Sequence, residues 1–376
     1  MSNLRNQADH GHQSQHSPLE INMKLRLFKP LIARLASSSY LVTRSNIPIK
    51  DSSPRGVLTC AIRWSSDSAH SENRSQLVID SRIKQYAKLS KIRLTGFVTS
   101  TAITGAYVAC SSFTDSLPVI SMAAAGTFLC SSSAAALNQF LETPYDSQMK
   151  RTAIRPLVIG QVSPLETIIF ALATGVSGVV LLASQVNTLT AVLGAANLLL
   201  YSFVYTPMKR SNVANTWVGS IVGAIPPIMG STAVLGYVSV DAALLALILF
   251  SWQFPHFNAL SWNLRHEYAR AGYRMMSVVN PNLCKRVALR HSGLLLMYTC
   301  ALPLYGSTSS LFSLLALPLN IQFIRLSWLF YKQADSSSSR KLFRFSLIYL
   351  PFILALLTLT QPINKTGAGD KSKDSI

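Results

Sequence analysis

The chain has 376 residues, 49% of them apolar and only 13% charged, about half of the roughly 25% charge of a soluble domain. Lys and Arg total 34 against 15 Asp and Glu, a formal net charge of +19. The apolar content excludes a disordered or acidic solvated protein, and five scattered cysteines (Cys60, Cys110, Cys130, Cys284, Cys300) exclude a disulfide scaffold. Basic residues embedded between long greasy stretches argue against a nucleic-acid binder and for an integral membrane protein.

Residues 1–85 are polar, Ser-rich and Arg-rich, with no stretch long enough to span a bilayer. Between 21 and 64 they carry Lys24, Arg26, Lys29, Arg34, Arg44, Lys50, Arg55 and Arg63 against one acid, Asp51. Met23 to Arg44 alternates basic and apolar residues and then turns Ser-rich, the composition of an organelle transit peptide. A basic tail on the membrane surface is the competing reading. Asp9 and Glu20 fit a transit peptide poorly, so both Met1 and Met23 stay open as the start.

From residue 93 apolar stretches follow one another at 93–113, 118–138, 165–184, 187–206, 215–236, 240–259, 290–306, 309–331 and 343–361. Each is near the roughly 20 residues that carry a helix across hydrocarbon. The expectation is an all-α integral membrane bundle of about nine transmembrane helices over residues 86–361, followed by a disordered polar tail over 362–376. Connections after even-numbered helices carry Lys150, Arg151 and Arg155, then Lys209 and Arg210, then Arg265 to Arg290, then Lys332 to Arg344. Those after odd-numbered helices carry no Lys or Arg. By the positive-inside rule the N-terminus and the even connections share the inner side, and the C-terminus lies outside.

Strong polar groups gather on that inner side at three places. In the first, 138–164, Asn138, Glu142 and Asp146 are spaced i, i+4, i+8, on one helical face, with Pro144 expected to kink or end the helix. Two carboxylates and an amide oxygen suit Mg²⁺, which is commonly shared with substrate phosphates. Arg151 and Arg155 follow, and guanidinium binds phosphate oxygens by paired hydrogen bonds. Loop salt bridges are the plainer reading, but acids at the end of a membrane helix point to function.

In the second place, 205–230, Lys209 and Arg210 mark the boundary and Asn215 opens the next helix. Gly219, Gly223 and Pro226-Pro227 lie inside a span, where a Pro pair is expected to break the helix beside a cavity or under protein cover. The third place, 252–276, interleaves His256, Asn258, Arg265, Glu267, Arg270 and Arg274 with Trp252, Phe254, Phe257, Trp262, Tyr268 and Tyr273. His256 alone reads equally as a structural histidine or as a ligand; Pro255 beside it, expected to break the helix, favours function. Acids for a divalent metal, bases for phosphate and aromatic faces for a cation together suit transfer of an allylic prenyl group from its diphosphate.

N-x₃-E-x₃-D followed by M-K-R-T-x-x-R-P, over Asn138–Pro156, resembles the first signature of the UbiA superfamily of intramembrane prenyltransferases. The fuller run D-S-Q-M-K-R-T, G-Q-V-S-P, Y-T-P-M-K-R, N-T-W-V-G, G-A-I-P-P-I-M-G and W-Q-F-P-H-F-N-A-L-S-W, from about Tyr86 to His291, is similar to its haem-farnesylating branch. The resemblance implies a nine-helix bundle in the mitochondrial inner membrane, with the inner side as matrix. It implies joining farnesyl diphosphate and water to the 2-vinyl group of haem B, giving haem O and diphosphate for haem A and cytochrome c oxidase, with the downstream haem A synthase as a candidate partner and no role for nucleic acid.

Carried over to this chain, the resemblance makes Asn138, Glu142 and Asp146 the catalytic metal–diphosphate motif. Arg151, Arg155, Lys209 and Arg210 become its basic residues, the last two facing diphosphate or haem propionates. Trp252, His256, Asn258 and Asn215 become the haem or prenyl pocket, with His291 a second haem-facing candidate. The superfamily's second acidic motif is replaced here by P-H-F-N, with only Glu267 further on, which leaves one Mg²⁺ better supported than two. An enzyme prenylating a quinone precursor would share the first motif but keep a more acidic second one. A transporter would be expected to show inverted repeats, which the sequence lacks. A purely structural assembly factor would not concentrate acids, Arg and aromatics on one side.

Overall fold

The computed structural model describes residues 81–305 and 308–361. The basic region assigned to 1–85 lies almost entirely outside these residues, and so does the polar tail. Among the described residues every regular element is helical. After a short helical segment at 81–89 come α1 (Ile92–Ala109), α2 (Phe113–Asp146), α3 (Pro164–Gln185) and α4 (Thr188–Ser211), the last with a π-helical turn at Leu200–Tyr205. Then follow α5 (Asn215–Leu235), α6 (Val240–Asn263), the short α7 (Arg265–Arg270) and α8 (Met276–Val279), α9 (Pro281–Ala301), α10 (Ser310–Gln333) and α11 (Ser336–Leu359).

The nine expected long helices are therefore present among the described residues. Eight are long and apolar enough to cross a membrane; the other, α1, is Thr-rich and carries Arg93. Helices α2 to α5 form one packed group, and α6, α9, α10 and α11 a second. The two meet along α5 and α6, and α1 touches α2, α5, α6 and α11.

The pattern is that of helices packed in lipid, where small residues line the interfaces and large apolar ones face outward. On α3, Leu165, Ile169, Leu172, Val176 and Val180 are exposed, while Ala171, Gly175 and Gly178 are buried against α2. A Cβ on Gly178 would lie 2.8 Å from Cys130 Sγ. α1 and α5 approach more closely still. A Cβ on Gly105 would sit 2.1 Å from the Pro227 carbonyl oxygen, and one on Gly230 would sit 1.8 Å from that of Ala102.

Three expectations about proline are corrected. α2 does not end at Pro144 but runs on to Asp146. Pro144 cannot donate to the Phe140 carbonyl, and the Thr143 hydroxyl does so instead at 3.0 Å. α5 continues through Pro226-Pro227, where the backbone of α1 packs closely against it. α6 likewise continues through Pro255. The span expected at 290–306 begins earlier, at Pro281, so Lys285, Arg286 and Arg290 sit on α9 rather than in a loop.

Candidate active site

The unbroken end of α2 decides the site, because it keeps Asn138, Glu142 and Asp146 on one face over two turns. All three are buried, at 1%, 5% and 2% exposure. Unpaired charges could not survive there, and each group has a partner. Lys91 Nζ donates to Asn138 Oδ1 at 2.7 Å, and Asn138 Nδ2 donates to Thr206 Oγ1 at 3.1 Å. Lys209 Nζ donates to Glu142 Oε1 at 2.6 Å. Arg155 Nη1 bonds Asp146 Oδ2 and lies 3.8 Å from Glu142 Oε2.

Each base is brought in by a different element. Lys91 is the N-cap residue of α1 and adopts a left-handed φ of 50°, a conformation uncommon outside Gly and Asn. Burial pushes its pKa down to about 7, with the Arg155 charge adding to the effect and Glu142 opposing it. Arg155 folds back from the connection after α2, where Thr152 Oγ1 donates to the Asp146 carbonyl at 2.9 Å. Lys209 stands one turn after the π-helical segment of α4, and such segments often mark functional sites. Tyr201, Tyr205 and Lys209 are spaced by four; the two rings lie 5.4 Å apart and the ammonium sits 4.6 Å from the Tyr205 centroid.

The α7–α8 connection packs over this end of the bundle through Met149, Tyr145, Tyr268 and Tyr273. Arg151 is exposed, and burial raises the hydroxyl pKa of Tyr268, with the Arg151 charge opposing it. Burial also pushes the Tyr273 hydroxyl up, with the Glu142 and Asp146 charges adding to it, so both phenols stay neutral donors. Arg210 is exposed too, 4.0 Å from the Tyr145 ring centroid. It stands outside the buried cluster that its neighbour Lys209 completes. Asn215 donates to the carbonyls of Asn212 at 2.6 Å and Arg274 at 3.1 Å. It ties the connection before α5 to that before α8 and faces neither cavity.

Two adjoining cavities lie above the ion cluster. The first, of about 250 Å³, lies between α1, α2, α4, α5 and α6, with Ala134, Ala135, Thr127, Tyr201 and Met229 in its walls. The second, of about 220 Å³, lies between α1, α5, α6 and α11 and carries Trp252, His256 and Phe257. His256 is sandwiched between Trp252, at 4.6 Å, and Phe343, at 5.0 Å, and its Nδ1 meets Ser346 Oγ at 2.8 Å. Trp252 Nε1 donates to the Ser346 carbonyl at 2.8 Å. Asn258 and His291 are absent from both linings. Asn258 donates to the Cys284 carbonyl at 3.0 Å and joins α6 to α9. His291 stacks on Phe254 at 3.7 Å and meets Ser251 Oγ at 3.2 Å. Both make contacts between α6 and α9.

Residues 98–349 match the UbiA prenyltransferase family. The chain belongs to that family. It is 50% identical over 285 residues to the mitochondrial protoheme IX farnesyltransferase of Homo sapiens, covering 76% of this chain and 63% of that protein. The chain thus spans less than two thirds of the curated relative it matches. Among solved structures, a digeranylgeranylglyceryl phosphate synthase superposes with a TM-score of 0.65 at 15% identity, over 74% of this chain and 98% of that one. A UbiA homologue from Archaeoglobus fulgidus bound to GPP and Mg²⁺ gives 0.53 at 12% identity, over 73% of this chain and 99% of that one. These two likenesses show the UbiA fold.

In this UbiA chain the donor set fits a divalent cation of the Mg²⁺ type: an amide oxygen and two carboxylates, all hard, on successive turns. No group of three or more His, Cys, Asp or Glu comes together among the described residues. Substrate oxygens and water would therefore complete the coordination. Glu267, the acid kept in the third region, has a buried Oε2 with no partner among the described residues. Lys91, Tyr201 and Tyr205 are the site residues that the sequence reading missed. The two tyrosines had a signal, the four-residue spacing that ends at Lys209. Lys91 had none, because its partner lies 47 residues away.

Proposed function

We propose that the chain transfers the farnesyl group of farnesyl diphosphate to the 2-vinyl group of haem B, with addition of water, giving haem O and diphosphate. The observation that carries this reading is one buried ion cluster beneath two adjoining cavities of different character. The first cavity is lined mainly by aliphatic and small residues, with Tyr201 and Tyr205 in its wall. It follows α2 from Ala135 to Thr127, one turn and more beyond Asn138, a run of roughly 16 Å counted down from Asn138 at 1.5 Å per residue. That space suits a prenyl chain of farnesyl length. The second cavity, with Trp252, His256 and Phe257, offers flat faces to the vinyl-bearing edge of a macrocycle.

Arg155 and Lys209 pair with two carboxylates, and Lys91 with the Asn138 amide beside them, so the cluster is poised to exchange internal partners for a polyanion. In the loaded site the bases donate to diphosphate oxygens. Asn138, Glu142 and Asp146 would hold Mg²⁺, which would supply charge neutralisation to the leaving group. The Tyr201 and Tyr205 rings lie between the cluster and the chain and stabilise the developing allylic cation. Trp252 and His256, fixed by Ser346, orient the acceptor. The similarity to mitochondrial relatives and the basic connections of the sequence support a mitochondrial inner-membrane setting, with the ion cluster on the matrix side.

The test is product analysis. The full chain in membranes, given haem B, farnesyl diphosphate and Mg²⁺, is expected to form haem O, with formation lost on chelation. Prenylation of an aromatic quinone precursor, with haem untouched, would replace this reading while keeping the diphosphate site.

A further inference from the structure

We infer that Gln253 positions the water that quenches the cation formed on the haem side chain; this rests on the proposed reaction. The two cavities share one wall, made of Leu94, Val98, Tyr205, Gly219, Gly223 and Gln253. Tyr205 and Gln253 are its polar side chains, and they reach it because α5 is bare opposite them. A Cβ on Gly219 would lie 2.6 Å from the Tyr205 ring, and one on Gly223 would lie 2.3 Å from Gln253 Oε1.

The Gln253 amide is locked. Its Nε2 donates to the carbonyls of Ser220 at 3.0 Å and Leu249 at 3.1 Å. That uses both amide hydrogens and leaves Oε1 as an acceptor at the Gly223 side of the wall. Nearby, Pro226 and Pro227 have no N–H, so the carbonyls of Val222 and Gly223 lose their usual helical donors. Both residues line the first cavity, and Gly223 lines the second as well. A confined water needs two to four polar partners. The amide oxygen and the freed carbonyls supply acceptors, and the Tyr205 hydroxyl supplies a donor.

The step balances as follows. The prenyl C1–O bond breaks and diphosphate takes the electron pair. The vinyl π pair forms the new bond from the terminal vinyl carbon to C1. The vinyl carbon next to the ring is left cationic. A water lone pair bonds to it, and the proton that water loses leaves with diphosphate. Water held at the junction of the cavities is next to the site of bond formation. Without it, the same cation sheds a neighbouring proton and yields an alkene lighter by one water.

The product ratio reads this directly. Gln253→Met keeps length and removes the acceptor. Gly223→Ala keeps the amide but pushes Oε1 aside, and so covers the case in which Gln253→Met does not fold. The full chain in membranes is given haem B, farnesyl diphosphate and Mg²⁺, and products are resolved by mass. Wild type is expected to give haem O, and either variant the lighter alkene as its main farnesylated product, an outcome that general destabilisation would not cause. Haem O alone from every variant that transfers farnesyl overturns the role of Gln253 and leaves the proposed reaction standing. No haem O from wild type overturns that reaction, and this role with it.

Discussion

Arg155 joins both carboxylates of the α2 face, so replacing it tests the cluster most severely. Arg155→Ala leaves Asp146, only 2% exposed, without its cation. Removing one partner of a buried pair costs about 3 to 5 kcal/mol, and that loss should appear as a lower thermal midpoint in detergent. A second loss falls on the substrate. A charge-assisted hydrogen bond contributes about 1.5 to 3 kcal/mol, which corresponds to a fall of about 10- to 150-fold in kcat/KM for farnesyl diphosphate. The two losses separate in a double mutant. Asp146→Asn in the Arg155→Ala background removes the stranded charge, so stability should return while farnesyl transfer stays low. The assay is a cycle of four proteins, each measured by unfolding and by initial rate. A double mutant as active as wild type, or an Arg155→Ala protein with unchanged kcat/KM for farnesyl diphosphate, would refute a diphosphate role.

Lys91→Met should raise KM for farnesyl diphosphate by about tenfold while KM for haem changes little; equal rises for both substrates would make Lys91 a structural cap only. His256→Ala opens the sandwich with Trp252 and Phe343 and should impair haem use more than diphosphate use, as separate KM values would show; loss of diphosphate affinity alone would reverse the assignment of the cavities. Gly194 lines the far part of the first cavity, with Met229 Cε 3.1 Å from where its Cβ would lie. Gly194→Leu should therefore push Met229 inward and shift preference from farnesyl to geranyl diphosphate, and an unchanged preference would place the chain elsewhere.

The fold was legible because lipid makes hydropathy and loop charge nearly sufficient. Each long helix was anticipated, and its basic connections were read from Lys and Arg alone. What misled was proline. Pro144, Pro226, Pro227 and Pro255 each remove a helical hydrogen bond, yet the helices run on through all four; only at Pro144 does a side chain, the Thr143 hydroxyl, take over the freed carbonyl, and no local pattern announces that. The acids of the site were visible because i, i+4, i+8 is a one-dimensional signal. Lys91 was not, since its role comes from a left-handed cap that turns it toward a different helix. The contacts of Asn258 and His291 were hidden for the converse reason: their hydrogen bonds between α6 and α9 come from helix packing, which no local pattern carries.

The central claim is that haem is the acceptor for a farnesyl group held at the α2 cluster. One vessel tests it: membranes with the full chain, Mg²⁺ and farnesyl diphosphate, and equal amounts of haem B and 4-hydroxybenzoate. Farnesyl is expected on haem alone, as haem O, with none formed by Asp146→Asn. Farnesyl on the benzoate ring with haem unchanged, or haem O undiminished in Asp146→Asn, would contradict it.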